Sequence, residues 1–126
     1  MIKVLLVDDE PHVIHVLKLF LDKSGYKVIT ANNGKTALEK AESEQPDIII
    51  TDIQMPIMTG QDLCLNLTEN LPDPKRKIIV MTSRTDSELR AWAENITNLE
   101  FLEKPLSPRN LVSRLRSYYP IERSNG

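Results

Sequence analysis

The sequence predicts an α/β domain: a five-stranded parallel sheet with helices on both faces. Three observations carry this. Five short apolar runs recur along the 126 residues, four of them rich in Val or Ile. Several are apolar throughout rather than alternating, as strands covered on both faces are. Each run is followed by a segment with helical spacing of its apolar residues, and cap or turn residues separate the two kinds of segment. Five repeats of strand then helix imply a parallel sheet.

The first strand is Lys3–Val7. Its helix runs from Pro11 to Ser24, with Val13, Ile14, Val16, Leu17, Phe20 and Leu21 at helical spacing and Gly25 closing it. The second strand, Lys27–Ala31, leads through the turn Asn32-Asn33-Gly34 into a helix reaching Glu44. The third is Asp47–Thr51, after which Thr59 caps a helix to Asn70. There Leu63, Leu65 and Leu67 suggest a core helix, so Cys64 is read as packing. The fourth strand is Lys77–Thr82. Thr85-Asp86-Ser87-Glu88 then has the form of a capping box and opens a helix through Leu89, Trp92, Ala93 and Ile96. Trp92 at that spacing reads as packing. Glu100–Glu103 is a weaker run, expected at the sheet edge. Ser107-Pro108 gives a cap and a first-turn proline to the last helix, through Leu111, Val112 and Leu115. The domain is expected over 1–119, with the polar residues 120–126 as a frayed end or the start of a linker.

Composition narrows the function. Sixteen basic and 18 acidic side chains, with no block of like charge, argue against a nucleic-acid-binding face or a membrane-surface helix. No apolar run is long enough to span a bilayer, and Met1-Ile2-Lys3 leads directly into a strand without a signal peptide. One cysteine permits no internal disulfide. A cytoplasmic location is expected.

Parallel sheets of five strands commonly take the order 2-1-3-4-5, the flavodoxin-like arrangement, and bind ligands beyond the carboxyl ends of the strands. Just past the first strand stand Asp8 and Asp9; past the third, Asp52. Thr82 ends the fourth strand and Lys104 follows the fifth. Alone, each has an ordinary meaning. Asp8, Asp9 and Glu10 before Pro11 suit a helix start, Thr82 suits a strand, and Lys104-Pro105 suits a surface turn. His12 and His15 share a helix face but find no third ligand, so they read as solvated. Together, three carboxylates, a hydroxyl and an ammonium at one sheet edge make a hard-oxygen site suited to Mg²⁺. A carboxylate there can act as nucleophile and form an aspartyl-phosphate. The cation, Lys104 and Thr82 would then meet the phosphoryl oxygens.

The stretches "LLVDDEP", "DIIITDIQMPIMTG", "IIVMTS" and "FLEKPLSP", in this order and spacing, resemble the receiver (phosphoacceptor) domain of bacterial two-component response regulators over nearly all of residues 2–118. The resemblance implies that Asp52 is the phosphoacceptor. It implies that Asp9, Asp52 and the Gln54 backbone carbonyl bind Mg²⁺ directly, with Asp8 acting mainly through water. Lys104 pairs with the phosphoryl group and its bond to Pro105 is cis. Thr82 and Phe101 form a switch pair, the hydroxyl moving toward the phosphoryl group and the ring following inward. The implied partners are a sensor histidine kinase or histidine phosphotransfer protein, and a downstream effector or output domain. A homodimer through the 85–96 helix, the fifth strand and the last helix is a further implied partner. Departures from the pattern are Thr59 for the usual Asp, Ser83 for Ala, and Thr97-Asn98-Leu99-Glu100 for Gly-Ala-Asp-Asp. The last alters a surface that many receivers use for dimerisation.

The competing reading is a Mg²⁺-dependent phosphohydrolase acting through an aspartyl-phosphate. Such enzymes of the haloacid dehalogenase type carry Asp-x-Asp-x-Thr after the first strand. Here Asp8-Asp9-Glu10-Pro11 stands there and the nucleophile candidate lies on the third strand, which disfavours metabolite turnover. A flavin-binding electron carrier shares the architecture, but no Ser/Thr/Gly-rich loop follows the first strand.

Overall fold

The five strands and the helices among the described residues appear where the patterns place them, to within a residue. The computed structural model describes residues 1–53, 58–71, 75–82, 91–92, 94, 96, 98–104 and 106–118. The strands are β1 (Lys3–Val7), β2 (Lys27–Ala31), β3 (Ile48–Asp52), β4 (Lys77–Thr82) and β5 (Leu99–Glu103). The helices among the described residues are α1 (Pro11–Lys23), α2 (Gly34–Glu44), α3 (Gly60–Asn70) and the C-terminal helix α4 (Pro108–Tyr118). The sheet order is β2-β1-β3-β4-β5, with every neighbouring pair parallel. Between β4 and β5, Ala91 and Trp92 are helical. The capping box Thr85–Glu88, Ser83, Thr97, the Lys104–Pro105 bond and the 120–126 tail lie outside the described residues.

Alternate strand residues enter two separate cores. Leu5, Val7, Ile49, Ile78 and Val80 face α2 and α3, where they meet Ala37, Ala41, Leu63, Cys64 and Leu67; Trp92 packs against the same cluster. Val4, Leu6, Ile48, Ile50, Ile79 and Met81 face α1 and α4, meeting Leu17, Leu21, Leu111, Val112 and Leu115. Each fully buried aliphatic side chain contributes about 1.5–3 kcal/mol of transfer free energy. This covering of both faces is why the central strands read as unbroken apolar runs. Cys64 is fully buried in this core and packs there as expected, and that burial pushes its thiol up to about 12. Leu65 is the exception to its expected role: it turns out to solvent, 40 % exposed, because it lies off the Leu63/Leu67 stripe.

Two strands depart from the sequence reading by one residue, β3 at both ends and β5 at its start, and the β3 shift matters. β3 begins at Ile48 because Asp47 instead ties the strand starts together. Its carboxylate accepts the Lys3 N–H at 2.9 Å, and its carbonyl accepts the Lys77 N–H at 3.0 Å. The same shift keeps Asp52 inside the strand, opposite Met81. β5 starts one residue early, at Leu99, after Asn98 takes a left-handed turn (φ 64) that asparagine tolerates well. Among the described residues no helix is long and apolar enough to cross a membrane.

Candidate functional site

At the carboxyl edge of the sheet, the chain leaves β1 through Asp8, whose N–H still donates to the Ala31 carbonyl at 3.2 Å. The Asp8 carboxylate then accepts the Glu10 N–H at 3.0 Å, folding the acidic run back over the strand end. Pro11 starts α1 with its preset φ, and Glu10 occupies the cap position without any side-chain cap bond. The Glu10 carboxylate is therefore not spent on capping α1. Asp8 is fully buried, whereas Asp9 and Glu10 are exposed.

Asp52 is 7 % and Thr82 1 % exposed at the ends of β3 and its other neighbour, β4. Thr82 accepts the backbone N–H of Lys104 through its carbonyl at 2.8 Å. That bond aims the Lys104 side chain back over the sheet edge. Its Nζ donates to Asp52 Oδ2 at 3.1 Å and to Asp8 Oδ2 at 3.4 Å, and lies 3.7 Å from Glu10 Oε1. One carboxylate oxygen from each of Asp8, Asp9, Glu10 and Asp52 falls within 4.8 Å of all the others. The structure thus brings together Asp8, Asp9, Asp52 and Lys104, with Thr82 at the adjacent strand end. Gln54 lies outside the described residues.

Glu10 is the member that sequence reasoning left out. Its signal was its place in the Asp8-Asp9-Glu10 run, but only the turn made by the Asp8 carboxylate folds it over Lys104. The two histidines stay outside the cluster: both are exposed, and His12 Nε2 makes only a 3.8 Å surface contact with Glu10.

The electrostatics follow from burial and proximity. Burial raises the Asp8 carboxyl above its ordinary value of 3.8; the Glu10 N–H and Lys104 pull it down, Asp52 pushes it up, and the balance is upward. For Lys104 burial acts downward, but the hydrogen bond and charge of Asp52, followed by those of Asp8, more than offset it. The result is one ammonium shared by a surplus of carboxylates, a site with net negative charge. A hard cation with oxygen ligands is the kind of ion such a clustered donor set could hold.

A pH consequence can be measured. A carboxyl whose folded value is raised contributes stability that is complete below 3.8 and is lost as pH climbs through the raised value. Asp8→Asn keeps an oxygen for the Glu10 N–H but does not titrate. Without divalent cations, its melting temperature relative to wild type should therefore rise between pH 4 and 7. A difference that stays flat across that range would show that Asp8 carries no such strain.

The Phe101 ring is half-buried and packs against the Val80 face of the sheet. Val80 stands opposite Phe101 and Thr82 opposite Glu103, so by the two-residue alternation Thr82 and Phe101 share a face.

Comparison with known proteins agrees with this geometry. The family model for the response regulator receiver domain matches residues 4–116. The chain is 34% identical over 116 residues to the alkaline phosphatase synthesis transcriptional regulatory protein PhoP of Bacillus subtilis, covering 91% of this chain and 47% of PhoP. It is 36% identical over 114 residues to the transcriptional regulatory protein KdpE of Mycobacterium tuberculosis, covering 90% of this chain and 49% of KdpE. The chain thus spans about half the length of these curated relatives. Its fold superposes on the chemotaxis response regulator CheY4 of Vibrio cholerae with a TM-score of 0.85 at 31% identity, covering 94% of this chain and 98% of the other.

Proposed function

Because this chain belongs to the response regulator receiver domain family, we propose that it is a phosphorylation-dependent switch whose phosphoacceptor is Asp52. The observation that carries this reading is Lys104 Nζ, held 3.1 Å from Asp52 Oδ2 beside a cluster of carboxylate oxygens. Asp8, Asp9, Asp52 and the Gln54 carbonyl would hold Mg²⁺, and Glu10 extends that donor set. The cation supplies charge neutralisation for the phosphoryl oxygens.

The protein's own part is positioning. One Asp52 oxygen attacks the phosphorus of a phosphohistidine on a sensor kinase or phosphotransfer protein; an O–P bond forms as the N–P bond breaks and the imidazole leaves. Lys104, already bonded to Asp52, turns its N–H toward a phosphoryl oxygen. Its compact, mobile ammonium suits that transfer between acceptors. The new group adds about −1.5 to −2 charge at neutral pH, and the Thr82 hydroxyl donates to it. Phe101, half-buried on the same face, fills the space that Thr82 vacates. Lacking a hydroxyl, Phe101 gives up no solvent hydrogen bond on moving inward. The relatives PhoP and KdpE are transcriptional regulators about twice as long as the matched segment, so an output module, attached or separate, belongs to this reading. The setting is the cytoplasm, and the domain itself turns over no metabolite.

The function is tested by incubating the protein with acetyl phosphate or phosphoramidate, with Mg²⁺ and with a chelator. The expected result is one acid-stable, base-labile phosphoryl group per chain, formed only with the cation. Multiple turnover of a phosphomonoester would favour the phosphohydrolase instead, and no label under either condition would refute the switch.

The coupling step has its own test. Thr82→Ala should still accept the phosphoryl group at Asp52 but transmit it poorly. In NMR spectra with beryllofluoride bound, shift changes along β5 and α4 should shrink to less than about half of those in wild type, a population change within the usual two-state range. Equal perturbation in both proteins would place the coupling elsewhere.

A further inference from the structure

Between Asp52 and α3 the chain is anchored at two described points. At one, the Ile53 N–H donates to the Met81 carbonyl at 3.2 Å. At the other, Met58 precedes Thr59, whose hydroxyl caps α3 by accepting the Asp62 N–H at 3.1 Å. Met58 abuts Gly34, the first residue of α2. A Cβ built on Gly34 would lie 2.6 Å from the Met58 carbonyl oxygen, 2.7 Å from its Cβ and 2.9 Å from its Cγ. Two of these three atoms are backbone or bonded directly to it, so no rotamer change relieves the clash.

The α2 side is held in place. The first turn of α2 is fixed by the Asn33 side chain, which accepts the Thr36 N–H at 2.8 Å. Its underside, Ala37 and Ala41, is buried against the sheet. Glycine is otherwise a poor helix residue, and here it is what permits the close approach.

We infer that Gly34 is a positioning residue for the cation site: by allowing α2 to touch Met58, it sets the end point of the chain that leaves Asp52. This rests on the Mg²⁺-dependent reading of the site. A side chain at position 34 displaces Met58 and, with it, one of the two anchors of that connection. Misplacement of about 1 Å at a distance from the chemistry can cost about 100-fold. Coupling is reciprocal, so a contact that alters cation affinity must itself respond to the cation.

The test is a Mg²⁺ titration followed by backbone amide NMR. In wild type, the amides of Gly34 and Met58 should shift along the same binding curve as those of Asp8 and Asp9. In Gly34→Ala, Mg²⁺ affinity should fall at least about five-fold, the lower end of ordinary coupling strengths. Ala41→Gly, a destabilising change on the same helix, should bind Mg²⁺ within about two-fold of wild type. Gly34→Ala that folds and binds as wild type overturns the inference. So do wild-type Gly34 and Met58 amides that stay still while Asp8 and Asp9 move, which decides the matter even if Gly34→Ala does not fold. Asp8 and Asp9 amides that fail to shift at all would overturn the cation site itself and the inference with it.

Discussion

Asp52→Asn should abolish phosphorylation while leaving the fold in place. The amide occupies nearly the same volume, and its oxygen still accepts the Lys104 ammonium that sits 3.1 Å from Asp52 Oδ2. What it lacks is the anionic nucleophile. Labelling from acetyl phosphate should fall by at least about 100-fold, equivalent to about 2.7 kcal/mol on the barrier. Mass spectrometry of the intact chain measures the label, and circular dichroism checks the fold. Asp8 and Asp9 are the competing acceptors. Asp8 is already committed to the Glu10 N–H and Lys104; Asp9 is exposed, with no strand pairing to hold it in line. A label that persists at full level in Asp52→Asn would move the acceptor to one of them.

Lys104→Met should be the most damaging change to stability at the site. Methionine keeps the apolar stem, so the loss reports the charge rather than the packing. Removing the ammonium leaves Asp8 and Asp52 facing one another in a buried setting, and stripping one partner from a buried ion pair costs about 3 kcal/mol or more. In metal-free buffer the melting temperature should fall by about 10 °C, as read by thermal unfolding. Mg²⁺ should recover much of that loss by supplying positive charge to the same oxygens. A metal-free Lys104→Met as stable as wild type would show that Lys104 does not compensate the acids. A loss that Mg²⁺ leaves untouched would show that the cation does not bind among them.

These two changes probe opposite halves of one arrangement. On the proposed reading Asp52 needs its charge to react, and Lys104, 3.1 Å away, offsets that charge in the folded protein. Asp8 links them: it is buried, pushed upward by desolvation and by Asp52, and it is the carboxylate that gains most if a divalent cation binds as proposed. The opposed charges explain why a run as acidic as Asp8-Asp9-Glu10 can follow directly on the buried residues Val4–Val7.

The sequence by itself determined the elements, their parallel arrangement and the convergence of Asp8, Asp9, Asp52, Thr82 and Lys104. Strand runs and cap residues act locally, and connection rules leave few ways to join five strand–helix units. Strand ends then carry their side chains to one edge whatever the details of packing. Tertiary structure decided what depends on neighbours distant in the chain. It buried Asp8 and exposed Asp9, adjacent residues of the same type, because only Asp8 turns back under Lys104, 96 residues away. It drew Glu10 into the cluster through the Asp8 side chain. It kept Asp52 within β3, because Asp47 was taken up in tying together the starts of β1, β3 and β4. It turned Leu65 outward, since periodicity marks a stripe but not how wide a stripe the sheet will cover. Most of these outcomes turn on contacts between segments far apart in the chain, and such contacts have free energies that no local pattern records.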